Sequence, residues 1–193
     1  MPSLRSTLGL ACVLVAVLAV AAPEAQRGRR ASIQVMTLSI PAWTDGAEIP
    51  AAHSQVGDEV SPALSWSSAP EGTLSFALIV HDLDAASGNG LDDRLHWMLW
   101  NIPPTAGGLP EGVGQGPELA DGTRQISVSG PYYRGPARPP ATDPAHHYLF
   151  EFYALDAMID VPAVGESPAA TRAAVIAAMA GHIRGKATYV GRF

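Results

Sequence analysis

Residues 76–103 read FALIVHDLDAASGNGLDDRLHWMLWNIP, and the reading of this stretch decides the fold. Leu74 to His81 is apolar at nearly every position, the mark of a strand buried on both faces. Leu95 to Ile102 repeats the pattern and is closed by Pro103-Pro104. Between the two lie Gly88, Asn89 and Gly90 flanked by aspartates, which is turn chemistry. The stretch predicts neighbouring buried strands whose facing ends carry an acid, Asp82, and an imidazole, His96.

Outward from this pair the same grammar continues. Ile33, Val35, Thr37 and Ser39 alternate as in a first strand, Pro41 to Pro62 is punctuated by Pro and Gly, and Ala63 to Trp66 is a short strand. Thr105 to Asp143 is dominated by Gly and Pro, with room for a short strand around Ile126 to Ser129. A loop of this length in a compact domain is usually functional. His147 to Leu155 reads as a third buried strand and Lys186 to Phe193 as a last one. Ser167-Pro168 supplies an N-cap and a first-turn proline to one helix over Ala169 to Ile183, with Gly185 near its end. With 19 Gly, 17 Pro and 47% hydrophobic residues, short strands and defined turns are favoured over a helical bundle.

The N-terminus reads as an address. Met1 to Ser6 carries one cation, Arg5, and the apolar run LGLACVLVAVLAVAA ends in small residues, so residues 1–22 are expected to be a cleaved secretory signal. A retained membrane anchor is the alternative, although the run is shorter than the roughly 20 residues a span needs. Arg27, Arg29 and Arg30 follow in a flexible lead-in, 23–32, and 33–193 form a single domain. Export, to the periplasm or the outside, removes the one cysteine, Cys12. The balance of 12 basic against 18 acidic residues gives a net charge of −6, or −7 without Arg5, which argues against nucleic acid as a partner.

Period-two alternation selects the candidate site. Leu74, Phe76, Leu78, Val80 and Asp82 share a face; His96, Met98 and Trp100 share one; His146, Tyr148, Phe150 and Phe152 share one. Each core-facing row thus meets a polar group at a strand end. Side by side, two imidazoles, a phenol and a carboxylate suit a small oxyanion, with the acid fixing a histidine tautomer. The plainer reading of each is a capped or solvated strand-end residue, and for Asp84, Asp92 and Asp93 a solvated turn former.

The blocks SPALSWSSAPEGTLSFALIVHDLDA (Ser61 to Ala85), HWMLWNIP (His96 to Pro103), GPARPPATDPAHHYLFEFYALD (Gly135 to Asp156) and GHIRGKATYVGRF (Gly181 to Phe193) stand in consistent order and spacing. Together they resemble the phosphatidylethanolamine-binding protein family, in its bacterial Raf-kinase-inhibitor-like branch, from about Thr37 onward. The resemblance implies a mainly β fold, a large antiparallel sheet packed on a smaller one with one or two peripheral helices. It also implies a pocket for phosphate-like groups at one end of the sheet. The family's aspartate-proline-aspartate motif matches Asp82-Leu83-Asp84, its strand-start histidine His96, and its histidine-any-tyrosine motif His146 and Tyr148. Leu83 and Ala86 replace prolines. Arg138 and Gln55 stand where bacterial relatives often carry cysteines, which implies that no disulfide serves here and makes Arg138 a candidate clamp at the pocket rim.

The ligand-binding set expected from sequence is therefore Asp82, Asp84, His96, Arg138, His146 and Tyr148. The function expected is an exported, non-enzymatic binding protein for a phosphorylated or other anionic ligand such as a phospholipid head group, with a regulatory or inhibitory role toward another protein open. No cofactor is called for. The alternatives are a serine protease inhibitor and a weak hydrolase using His96 or His146 as base, for which a nucleophile in a recognisable setting is missing. Two histidines and a carboxylate have suitable metal-ligand types but no close ligand spacing. The third class is a structural role through sheet edges or the long loop, including self-association as a dimer.

Overall fold

The computed structural model describes residues 32–87, 92–137 and 143–193. The signal segment, most of the lead-in and Arg138 lie outside the described residues. Ala31–Phe193 form one compact unit.

The described residues build nine strands: β1 (Gln34–Val35), β2 (Thr37–Ser39), β3 (Leu64–Ser67), β4 (Ser75–Ser87), β5 (Asp92–Ile102), β6 (Gly108–Leu109), β7 (Arg124–Ile126), β8 (His147–Leu155) and β9 (Ile183–Arg192). Among the described residues one α-helix, α1, spans Pro168–Met179 and a 3-10 turn Ala51–His53. The large sheet runs β1-β9-β8-β4-β5-β7 and the small one β2-β3-β6. The large sheet is mixed where an antiparallel one was expected, because β1 pairs with β9 in parallel. The single first strand expected over 33–39 is two. Met36 donates its N–H to Lys186 O, 2.9 Å, and the chain then passes to the small sheet, burying Met36, Leu38 and Ile40 between the layers.

Both faces of the large sheet are covered, so its central strands are apolar on both sides. Toward the small sheet lie Phe76, Leu78, Val80, Trp97, Leu99, Ile102, Tyr148, Phe150 and Phe152. Toward α1 lie Ala77, Ile79, Leu95, Met98, Trp100 and Tyr153, met by Val175 and Met179 of the helix. Ser167 caps α1 by accepting from Ala170 N at 3.1 Å, with Pro168 following. The helix ends at Met179 rather than Ile183, because Gly181 at φ +86° turns the chain and Ile183 already belongs to β9.

Register shifts in the β4–β5 pair decide which side chains reach which face. Val80 pairs with Trp97 and His81 with Leu95, so His96 is an extra residue without a partner opposite. A second shift separates Leu78↔Leu99 from Phe76↔Ile102. It centres on Asn101, which has φ +59° and whose amide exchanges hydrogen bonds with Ile159 N (2.8 Å) and O (3.0 Å). A third lies on β4 between Asp82↔Arg94 and Ala86↔Asp93. Bulges of this kind bend a strand and re-aim side chains.

On the helix side an ionic chain ties α1 to the sheet. His81 bridges two carboxylates, Asp93 through Nδ1 and Glu151 through Nε2 at 3.3 Å. Arg172 of α1 binds Asp93 at 2.5 Å, and Lys186 binds Glu151 at 2.6 Å. Burial pulls the His81 pKa down, but the hydrogen bonds and charges of Glu151 and Asp93 outweigh it and leave the pKa above 6.5. The His81 hydrogen bond, assisted by Lys186, draws Glu151 from 4.5 down to about 2. Asp93 is lowered too: burial raises it, and hydrogen bonds from Arg172 and His81 prevail.

A raised histidine stabilises the fold fully below its unfolded value of 6.5, and that contribution is lost as pH climbs through the folded value. The lowered carboxylates contribute above their unfolded values, 3.8 for Asp93 and 4.5 for Glu151, and lose their contribution as pH falls through the folded ones. Melting temperature measured against pH should therefore peak between about 4.5 and 6.5 and decline above. In His81→Gln the alkaline decline should disappear; an identical slope in both proteins would rule out His81 as its source. A second expectation concerns Gly191, where an added Cβ would run into the Ile49 side chain and stand 3.0 Å from Trp43 Nε1. Gly191→Ala should cost about 1–3 kcal/mol in denaturant unfolding.

Candidate functional site

Asp82 is the centre of the candidate site. It is 2% exposed at the point where β4 leaves regular pairing. Its Oδ1 accepts from the backbone N–H groups of Asp84 and Ala85, both at 3.0 Å, a local turn that fixes the bulge. Its Oδ2 accepts from His146 Nδ1 at 2.9 Å. The carboxylate is satisfied largely from its own chain, which is what makes its burial tolerable.

Tyr148 faces Asp82 across the β4–β8 pair. Its pKa is pushed far up, first by burial and then by the charge of Asp82 and a hydrogen bond to it, so the phenol stays protonated and donates. His146 stands just before β8, its backbone exchanging hydrogen bonds with Phe193 at 2.9 and 3.1 Å. Its side chain is 22% exposed. A carboxylate only accepts, so Nδ1 of His146 carries a hydrogen and the ring turns Nε2 away from Asp82.

His96 is as deeply buried as Asp82, at 2% exposed. Its ring meets that of Tyr148 edge-on, at 5.0 Å between centroids and 90° between planes. Nδ1 lies 2.8 Å from the Arg134 carbonyl, which fixes the hydrogen on Nδ1. Nε2 is buried and has no hydrogen-bond partner among the described residues. Burial lowers the His96 pKa below 6.5, and the charge of Arg94 adds to this, while the Arg134 carbonyl, Asp82 and the Gly135 backbone oppose it. The resting ring is neutral near pH 7, with its lone pair on Nε2.

The reason His96 belongs here differs from the one alternation offered. Met98 and Trp100 face α1, on the other side of the sheet, whereas Trp97 and Leu99 share the face of Val80 and Tyr148. Strict period two would have put His96 with Met98; the bulge turns it to the Tyr148 side. Asp82, His96, His146 and Tyr148 are thus joined in one chain of contacts.

Asp84 does not join it. Its carboxylate, 44% exposed, accepts from His147 N at 2.6 Å and faces His147 Nδ1 at 2.9 Å. These bonds pull its pKa below 3.8, the backbone bond most. Asp84 clips the β4 bulge to the start of β8.

Arg94, Arg134 and Glu59 escaped the sequence reading. Arg94 stands opposite Asp82 in the β4–β5 register, and its charge reaches His96 and Tyr148. Arg134 offers its carbonyl to His96, and its guanidinium is held by Glu59 at 3.1 Å and by Gln55 at 2.6 Å. Gln55 also donates to Gly135 O at 2.7 Å, and Glu59 accepts from Gly135 N at 3.1 Å. The signal for Arg94 was its spacing: two residues before His96, at the mouth of the same strand.

Among the described residues no group of three His, Cys, Asp or Glu side chains is arranged to hold a metal ion. A cavity of about 850 Å3 lies elsewhere, between α1 and the β4–β5 hairpin, lined by Ala86, Arg94, Val128, Ala169, Ala173 and Ile176 among others. It shares only Arg94 with the cluster. The chemistry, not that hollow, marks the candidate site.

Comparison with known proteins follows the same lines. The family model described as phosphatidylethanolamine-binding protein matches residues 39–193. A UPF0098 protein of Methanothermobacter thermautotrophicus is 38% identical over 160 residues, 82% of this chain and 98% of that protein. A Mycobacterium tuberculosis protein with the provisional name lipoprotein LppC is 36% identical over 160 residues, 82% of this chain and 72% of its own. Among solved structures, Escherichia coli YbcL, described as a new member of the mammalian PEBP family, superposes with a TM-score of 0.67 at 30% identity, covering 82% of this chain and 97% of that one. The PEBP homologue CT736 of Chlamydia trachomatis gives 0.67 at 31%, covering 83% and 97%. With its fold, its ordered motifs and these matches in agreement, the chain belongs to the phosphatidylethanolamine-binding protein family.

Proposed function

We propose that the protein is an exported, non-enzymatic binding protein whose cluster of Asp82, Tyr148, His146 and His96 holds a small anionic ligand, a phosphate or a phosphorylated head group. The observation that carries this reading is the state of the Asp82 carboxylate. Both of its oxygens are occupied by donors of the protein itself, so its charge is spent on orienting His146 rather than on repelling an anion. The donors left over point to negative charge. Arg94 has no hydrogen bond or ion pair among the described residues and sits directly across from Asp82. His146, partly exposed, presents its free ring nitrogen and becomes a donor there when protonated.

Charge-assisted hydrogen bonds are the strong ones, at about 1.5–3 kcal/mol each. Two such groups on a rigid sheet suffice for a weak, specific anion site. Export is supported by the apolar N-terminal run, residues 8–22, and by the lipoprotein name of the mycobacterial relative.

Titration calorimetry with inorganic phosphate tests the reading. His146→Ala and Arg94→Ala should each weaken binding about tenfold, the equivalent of one charge-assisted bond. Arg94 is exposed, so its variant should keep its melting temperature, whereas His146→Ala also takes a donor from buried Asp82 and should melt somewhat lower. Affinities unchanged in both variants would remove the cluster from the function.

A further inference from the structure

One buried atom of the cluster, His96 Nε2, sets a condition that the donors do not. His96 is 2% exposed. Its Nδ1–H is committed to the Arg134 carbonyl at 2.8 Å, and that carbonyl is held in place through the Glu59 and Gln55 bonds to the Arg134 guanidinium. The tautomer is thereby fixed, and Nε2 is an acceptor, buried and unpartnered among the described residues. Buried polar atoms are nearly always paired, which points to a donor from outside the chain.

A fully ionised anion offers lone pairs only, and a lone pair against the Nε2 lone pair is repulsive. We infer that the ligand brings its own donor hydrogen: a phosphate bearing a P–OH group, whose hydroxyl donates to His96 Nε2 while its charged oxygens accept from His146 and Arg94. Inorganic phosphate and singly protonated phosphate monoesters fit this demand; sulfate and donor-free phosphate diesters do not. The inference rests on the reading of the cluster as an anion site and narrows it to one class of anion.

The groups that bear on His96 are consistent with an acceptor role. Asp82 on β4 is occupied by its own donors, Tyr148 on β8 stands opposite Asp82, and His146 is tied to Asp82. Arg94, on the same strand as His96, and burial both disfavour a second proton on the ring; Asp82 and the Arg134 and Gly135 backbone partly offset them.

The test is a ligand series on the unmodified protein, by calorimetry at constant ionic strength: inorganic phosphate, phenyl phosphate, dimethyl phosphate and sulfate. Phosphate should exceed sulfate and dimethyl phosphate by about tenfold or more at neutral pH, the worth of one satisfied buried acceptor. Phenyl phosphate should match phosphate in mild acid and fall away as pH rises through about 6, where its last P–OH ionises. Inorganic phosphate keeps a P–OH across that range and should lose less. Sulfate binding as tightly as phosphate, or phenyl and inorganic phosphate declining in parallel, would overturn the inference while leaving the anion site intact. Binding of none of the four would instead sink the anion site itself. His96→Gln puts an amide N–H in place of the lone pair and should shift preference toward sulfate; the wild-type series decides the matter even if this variant folds poorly. Vesicles containing phosphatidic acid that retain the protein and release it to inorganic phosphate would support a membrane-borne monoester. Soluble phenyl phosphate binding without vesicle retention would support a free one. Retention that phosphate cannot reverse would count against the inference.

Discussion

One extra residue in β5 is the constraint on which the candidate site depends. Without the register shift between Val80↔Trp97 and His81↔Leu95, His96 would point at α1 among Met98 and Trp100, and no imidazole would meet Tyr148. The bulge is not free-standing. Its geometry is held from one side by Arg134, which accepts the His96 Nδ1 hydrogen, and from the other by the β4 turn closed around Asp82. A second irregularity at Asn101 restores the original parity, so Ile102 returns to the core between the sheets. Two single-residue shifts in one strand therefore set both the floor of the cluster and the continuity of the core beneath it.

Adjacent residues His81 and Asp82 show how the sheet separates two uses of the same chemistry. On the helix face His81 lies between Asp93 and Glu151, each backed by a cation, and every charge has a partner. That arrangement closes on itself and fastens α1. On the opposite face Asp82 holds His146 by one nitrogen, and Arg94 and the second nitrogens of His146 and His96 are left over. The same residue types serve as a clasp where every charge meets an opposite charge, and as a candidate site where some do not.

Much of this was legible in the sequence, though unevenly. The β8 boundaries, the Ser167 cap and the shared face of Asp82, Tyr148 and the apolar rows followed from periods of two and from capping chemistry, which are local properties. His96 came to the right cluster by an argument that fails in detail, because a bulge breaks the period and is specified by residues 38 positions away. The identity of Asp84's partner and the split of the first strand at Met36 likewise depend on what other segments supply, whereas the early end of α1 had a local signal, Gly181, that the sequence reading passed over. Arg94 was hidden because a cation just after two turn aspartates reads as surface solvation until register puts it opposite Asp82.

The brace around Arg134 has a further consequence. The segment that fixes the His96 tautomer is fastened to residues 55 and 59 by a guanidinium, an amide and a carboxylate, with no sulfur involved. The chain's one cysteine, Cys12, is in the N-terminal apolar run. The fastening therefore needs neither an oxidant to form nor protection from reductants to persist. The cluster assembles the same way in thiol-rich and in oxidising surroundings, and its integrity is indifferent to the electron balance of the compartment in which the protein works.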